Sequence, residues 1–150
     1  MVATRDEKKS LYRLDVFRDT AYRRCQEAKR LLEGTRRGCD GAVACALLST
    51  ECALKATLLF GYDVTYDHEL PDDMYHRYFR SKLGHALLEL YRALPASVRR
   101  TAVPVDEVVR LDQRDRYAHR YGAQRPRLME SRPLITDAEA VVTWMNRVLS

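Results

Sequence analysis

Glycine and proline are scarce in this chain, six and five among 150 residues, and neither gathers into a low-complexity tract. That scarcity excludes collagen-like and linker-dominated chains and points to one compact folded unit. No run reaches the roughly 18 uninterrupted apolar residues of a membrane span, and the charged opening MVATRDEKKS leads into no apolar signal segment. The expected location is therefore the cytoplasm, with no membrane partner. Sustained period-two alternation is missing too, which removes the main mark of a β-sheet.

Cysteine is limited to Cys25, Cys39, Cys45 and Cys52, with none in the rest of the chain. Their spacing is not the short C-x-x-C of zinc or redox sites, so buried free thiols are expected. The four histidines, His68, His76, His85 and His119, form no H-E-x-x-H or E-x-x-H pattern. Neither a metal nor another cofactor is expected.

What the chain does have is positive charge and helical period. The net charge is +5 and the pI about 9.1, which favours anionic partners. Most of that excess lies between Arg110 and Arg132, where seven arginines face three acids. Apolar residues recur at three- and four-residue steps, predicting an all-α, up-and-down bundle of four to five helices in a single domain with its core over about 11–149. The first helix is expected over Ser10–Glu33, with Leu11, Leu14, Phe17, Ala21, Ala28, Leu31 and Leu32 inward.

A second helix over Asp40–Phe60 is apolar almost all round and should be central. Its Ala42, Ala46, Ser49, Ala53 and Ala56 form a ridge of small side chains that admits a close neighbour. Residues 61–79 lose the helical period and read as a long connection with one helical turn. A third helix is expected over Arg80–Leu94, closed by Pro95, and a fourth from Pro104 through the arginine-rich stretch. The prolines of GAQRPRLMESRP then imply a loop, and Thr136 with Glu139 forms a T-x-x-E capping box that opens the last helix.

The end of the fourth helix reads RDRYAHRY, residues 114 to 121. Arg114 beside a neutral imidazole of His119 is a minimal apparatus for cutting RNA. Imidazole can move the proton of a ribose 2′-hydroxyl or of the leaving oxygen, and guanidinium stabilises charge on the phosphate. Taken alone, the spacing arises easily by chance in an arginine-rich chain and equally describes a solvated helix end.

The surroundings change that reading. A helical bundle of this length with E-C-A-L-K-A late in its apolar second helix (Glu51 to Ala56), K-L-G-H-A-L-L-E-L in the third (Lys82 to Leu90) and R-D-x-x-x-H at the end of the fourth resembles the HEPN family over nearly the whole chain. Arg114, Asp115 and His119 fill that family's motif, with Asp115 where Asn is commonest. The resemblance implies a metal-independent endoribonuclease, a toxin or defence nuclease, that acts as a homodimer beside the fourth helix and leaves 2′,3′-cyclic phosphate and 5′-hydroxyl ends.

It further implies Arg114 and His119 as catalytic residues, with Asp115, Glu51 and Lys55 in support. Glu51 would either hold Arg114 or tune His119, or else form with Lys55 a buried ion pair that fixes helix packing. Arg114, His119 and Tyr121 also match the R-x4-H-x-Y of toxins whose tyrosine is adenylylated by an MNT-type nucleotidyltransferase antitoxin, although Arg120 stands where those toxins usually have Gly. Tyr121 is equally an aromatic packing on the next loop. Arg116, Arg120, Arg125 and Arg127 would hold RNA phosphates. Two other classes stay open: a catalytically silent module that binds RNA or a nucleotide, and a structural or interaction bundle.

Overall fold

The computed structural model describes residues 13–34, 38–80, 86–121 and 128–150, and for 34, 116–121 and 128 the backbone alone. It is an all-α bundle. The helices are α1 (Leu14–Gly34), α2 (Cys39–Gly61), α3 (Asp72–Phe79), α4 (Leu87–Ala93), α5 (Ala96–Arg99), α6 (Val105–Tyr121) and α7 (Leu128–Leu149). Among the described residues there is no strand, only a single bridge between Arg13 and Tyr66.

Helix α2 is the axis of the bundle, packed by α1, α7 and α4. Its composition alone would suit a bilayer, yet 67% of its most apolar window is buried inside the bundle, the mark of a core helix. The small-residue ridge is buried in full: Ala42, Ala46, Ser49, Ala53 and Ala56 have no exposure, and neither do Ala21 and Ala28 of α1. Backbones then approach closely enough for the Ser49 hydroxyl to donate to the carbonyl of Ala21, 2.5 Å away. Thr50 and Thr57, also buried, donate to carbonyls one turn back in α2, so these hydroxyls enter the core with their hydrogen bonds made.

The start of α2 depends on a glycine for a steric reason. A Cβ on Gly38 would overlap the backbone carbonyl of Leu31, so α1 and α2 meet here at a distance only hydrogen allows. On the far side of α2, Leu54, Leu58 and Leu59 meet a core completed by Leu87, Leu90, Leu111, Val141, Trp144 and Met145. Trp144 is 1% exposed, and its indole N–H donates to the Thr101 hydroxyl at 2.9 Å, which pins α7 to the turn after α5.

Three expectations need correction. Residues 61–79 hold more than one helical turn: a 3-10 turn at Asp67–Glu69 and then the eight-residue α3. Pro71 starts that helix instead of breaking it, since its carbonyl accepts the Tyr75 N–H, and the acidic first turn of Asp72 and Asp73 suits the positive end of the helix. Tyr75 and Tyr78 are its buried side.

The third expected helix starts at Leu87 and not at Arg80, because Arg80 closes α3 in a non-helical conformation and Ala86 is extended. Leu94 and Pro95 end α4 as expected, although the short α5 follows at once.

The last helix begins at Leu128, eight residues before the supposed capping box, and carries Pro133 inside it. The carbonyl that Pro133 leaves without its helical donor belongs to Met129, which is 88% exposed and open to water. Thr136 is therefore an interior residue whose hydroxyl bonds back to the Arg132 carbonyl, and Glu139 pairs with Lys29 of α1 at 2.9 Å.

Candidate functional site

The motif lies on α6, and the inward residues of that helix fix how it is presented. Val108 and Leu111 are completely buried, and Asp112, at 3% exposure, continues their side of the helix. Asp112 does not simply fill space. Its carboxylate accepts the backbone N–H of Leu88 at 3.1 Å, in the first turn of α4, whose own N-cap residue Ala86 has no side chain to offer.

Arg110, two positions earlier, points the other way. Its Nε and Nη2 donate to the two carboxylate oxygens of Asp137 on α7, both at 2.9 Å, with Glu107 a further 3.9 Å neighbour. The Asp137 side chain is only 8% exposed, so the fork is dry on the acid's side. Those hydrogen bonds, and then the carboxylate's charge, push the Arg110 guanidinium above its ordinary range.

Arg114 follows one turn after Arg110 and is half-buried, as is Asp115. Position 119 lies in the same unbroken helix, and helical register places 112, 115 and 119 on one stripe, with 110 and 114 on another. The structure thus puts Arg114, Asp115 and position 119 on one continuous helix. For Arg116, His119, Arg120 and Tyr121 the backbone alone is described, while Arg125, Arg127 and His85 lie outside the described residues.

Glu51 and Lys55 lie on α2. They form a 3.3 Å ion pair, 13% and 8% exposed, with the ammonium 5.3 Å from the Phe79 ring centre and 5.9 Å from that of Phe17. The charge is therefore packed against α1 and α3. These contacts tie Lys55 to the packing of α1 and α3 on α2.

The cysteines carry no chemistry visible in their surroundings. Cys25, Cys39 and Cys52 are buried and Cys45 half-buried, all as free thiols. Burial raises the thiols of Cys25 and Cys45 and pushes Cys52 up to about 12, so none of these three is primed as a thiolate. Among the described residues no group of three or more His, Cys, Asp and Glu side chains comes together as a metal site.

Two elements of the site's support, Asp112 and the Arg110–Asp137 fork, are invisible to motif reading. One trace exists in the sequence: Asp112 falls where the apolar spacing of Val108 and Leu111 calls for an inward residue. Comparison with protein-family models, with curated proteins and with solved structures finds no match to this chain.

Proposed function

We propose that the chain is a HEPN-type, metal-independent endoribonuclease of a toxin-antitoxin or defence system, whose cleft is completed by a second copy of itself. The observation that carries this reading is the seating of R-D-x-x-x-H. Its arginine is half-buried, its whole length lies in α6, and that helix is held to two neighbours just upstream.

In this reading His119 takes the proton from a ribose 2′-hydroxyl as that oxygen attacks the adjacent phosphorus. The P–O5′ bond breaks, and the leaving oxygen receives a proton from the imidazolium of the second protomer. The products are a 2′,3′-cyclic phosphate and a 5′-hydroxyl, so no water is consumed in this step. Arg114 donates to the non-bridging oxygens, where negative charge accumulates in the transition state. Asp115 supports the motif from the adjacent stripe, while Arg116, Arg120, Arg125 and Arg127 hold neighbouring phosphates. Tyr121 is the residue an MNT-type nucleotidyltransferase antitoxin would adenylylate. The general acid-base work is of a size, roughly 10² to 10⁴ in rate, that imidazole supplies near neutral pH.

The test is direct. Purified protein should cut single-stranded RNA in EDTA, leaving cyclic-phosphate ends, and His119→Ala should abolish the cut with its helical circular dichroism unchanged. Cleavage that disappears in EDTA or survives His119→Ala overturns the mechanism. Salt-sensitive retention of RNA without any cleavage would leave a binding module instead.

A further inference from the structure

The two polar grips on α6 deserve a functional reading of their own. Arg110 and Asp112 are two residues apart, which is about 200° around a helix. They therefore hold α6 from nearly opposite sides: Arg110 to Asp137 of α7 through two 2.9 Å bonds, Asp112 to the Leu88 N–H of α4 through one of 3.1 Å. The acid at each contact is buried, which shields the acceptor end of each bond from water although the Arg110 side chain is 52% exposed. Val108 and Leu111 pack α6 into the core, but apolar contact is non-directional and tolerates small rotations. Directional bonds on opposite sides do not.

Rotation is what matters at the motif. Arg114 lies about 3 Å beyond Asp112 along the axis and position 119 about 10 Å beyond it, on different stripes, so any turn of α6 swings the two functional groups in different directions.

We infer that Arg110 and Asp112 are positioning residues that set the rotation of α6 about its axis, and so the angle at which Arg114 and His119 meet an RNA phosphate. The inference rests on the cleavage reading above. It assigns Asp112 the role of an N-terminal cap supplied to α4 from another helix, and Arg110 with Asp137 the role of a fork. Neither touches substrate.

The experiment compares Asp112→Ala, Asp112→Asn and Arg110→Lys with the wild type on one RNA oligonucleotide in EDTA, at a temperature where circular dichroism shows every variant folded. Asparagine keeps the acceptor oxygen, and lysine keeps the charge but not the fork. Asp112→Ala and Arg110→Lys should each lower kcat by about 10- to 100-fold, the scale of a misplacement near 1 Å, with KM within about twofold. Asp112→Asn should recover most of the loss. Exchange of the Leu88 amide should quicken in Asp112→Ala and stay slow in Asp112→Asn.

Unchanged kcat in the folded variants overturns the inference, and so does a rise in KM at constant kcat, which would make these residues phosphate binders. Asp112→Asn as impaired as Asp112→Ala overturns the capping role. If Asp112→Ala does not fold, Arg110→Lys carries the same kcat-against-KM decision. A wild type that cuts no RNA overturns the cleavage reading and this inference with it, whereas active variants beside an active wild type overturn this inference alone.

Discussion

Lys55 holds its ammonium 3.3 Å from the Glu51 carboxylate and 5.3 Å from the centre of the Phe79 ring, in a part of the bundle where both charged side chains are nearly out of water. Removing Lys55 takes an ion-pair partner from a nearly buried carboxylate. Lys55→Met is expected to lower the free energy of unfolding by about 3 kcal/mol, and the double change with Glu51→Gln to recover part of that loss. Urea denaturation of the three variants measures it, and a single change as mild as the double one would contradict the packing role.

Thr101→Val keeps the shape of the side chain and leaves the Trp144 indole N–H without its acceptor. A loss of about 1–2 kcal/mol is expected. Trp144 is the single tryptophan of the chain and is 1% exposed, so its own fluorescence should report the transition as a red shift on unfolding. A Thr101→Val protein as stable as the wild type would remove this bond from the account of how α7 is anchored.

At Gly38 the obstacle is backbone, the Leu31 carbonyl, and cannot rotate away. Gly38→Ala should therefore cost about 2 kcal/mol or more, against the gain that alanine usually brings by restricting the unfolded chain. The thermal midpoint decides the sign.

Asp67 gives the pH dependence its direction. The residue is 2% exposed, and burial raises its carboxyl above the ordinary 3.8, although its carboxylate accepts the His68 N–H at 2.8 Å. The folded chain thus holds this proton more tightly than the unfolded chain. The stabilisation is fully present below the unfolded value near pH 4 and is lost as pH rises through the raised folded value. Asp67→Asn keeps an acceptor for His68 and should remove that downward slope, raising stability at neutral pH. Urea midpoints for both proteins across this range check it, and parallel curves would count against it.

On the catalytic reading, Arg114→Lys keeps a positive charge but loses the planar fork. Cleavage should fall by about 10²-fold with little change in helical content. A lysine variant as active as the wild type would mean that charge alone suffices at this position.

The long helices were legible because local pattern and tertiary role agree in them. The apolar circumference of α2 and the spacing of Phe17, Ala21 and Ala28 in α1 are one-dimensional signals of burial, and Leu94 with Pro95 stops α4 where expected. The misread segments are those where a residue's usual local meaning is overridden. Pro133 reads as a breaker, yet it sits inside a helix where its cost falls on an exposed residue, and the connection expected over 61–79 holds a helix that Pro71 starts. The spacing R-D-x-x-x-H is visible in the sequence itself. Its supports are not, because Asp112 and Leu88 are 24 positions apart, and Arg110 and Asp137 are 27 apart. Such pairs exist only once the chain is packed.

The seam between α1 and α2 acts as a one-way filter on sequence change. Ala21, Ala28, Ala42, Ala46, Ala53 and Ala56 have no solvent exposure, so drift towards glycine or serine is cheap relative to drift towards valine or leucine, which would press the helices apart. The leucine side of α2 has the opposite bias, since losing methyl groups there opens cavities. A library randomised along α2 should therefore show two stripes of survivors, one that refuses larger residues and one that refuses smaller ones, and their phase would read out the orientation of the central helix without any structure determination.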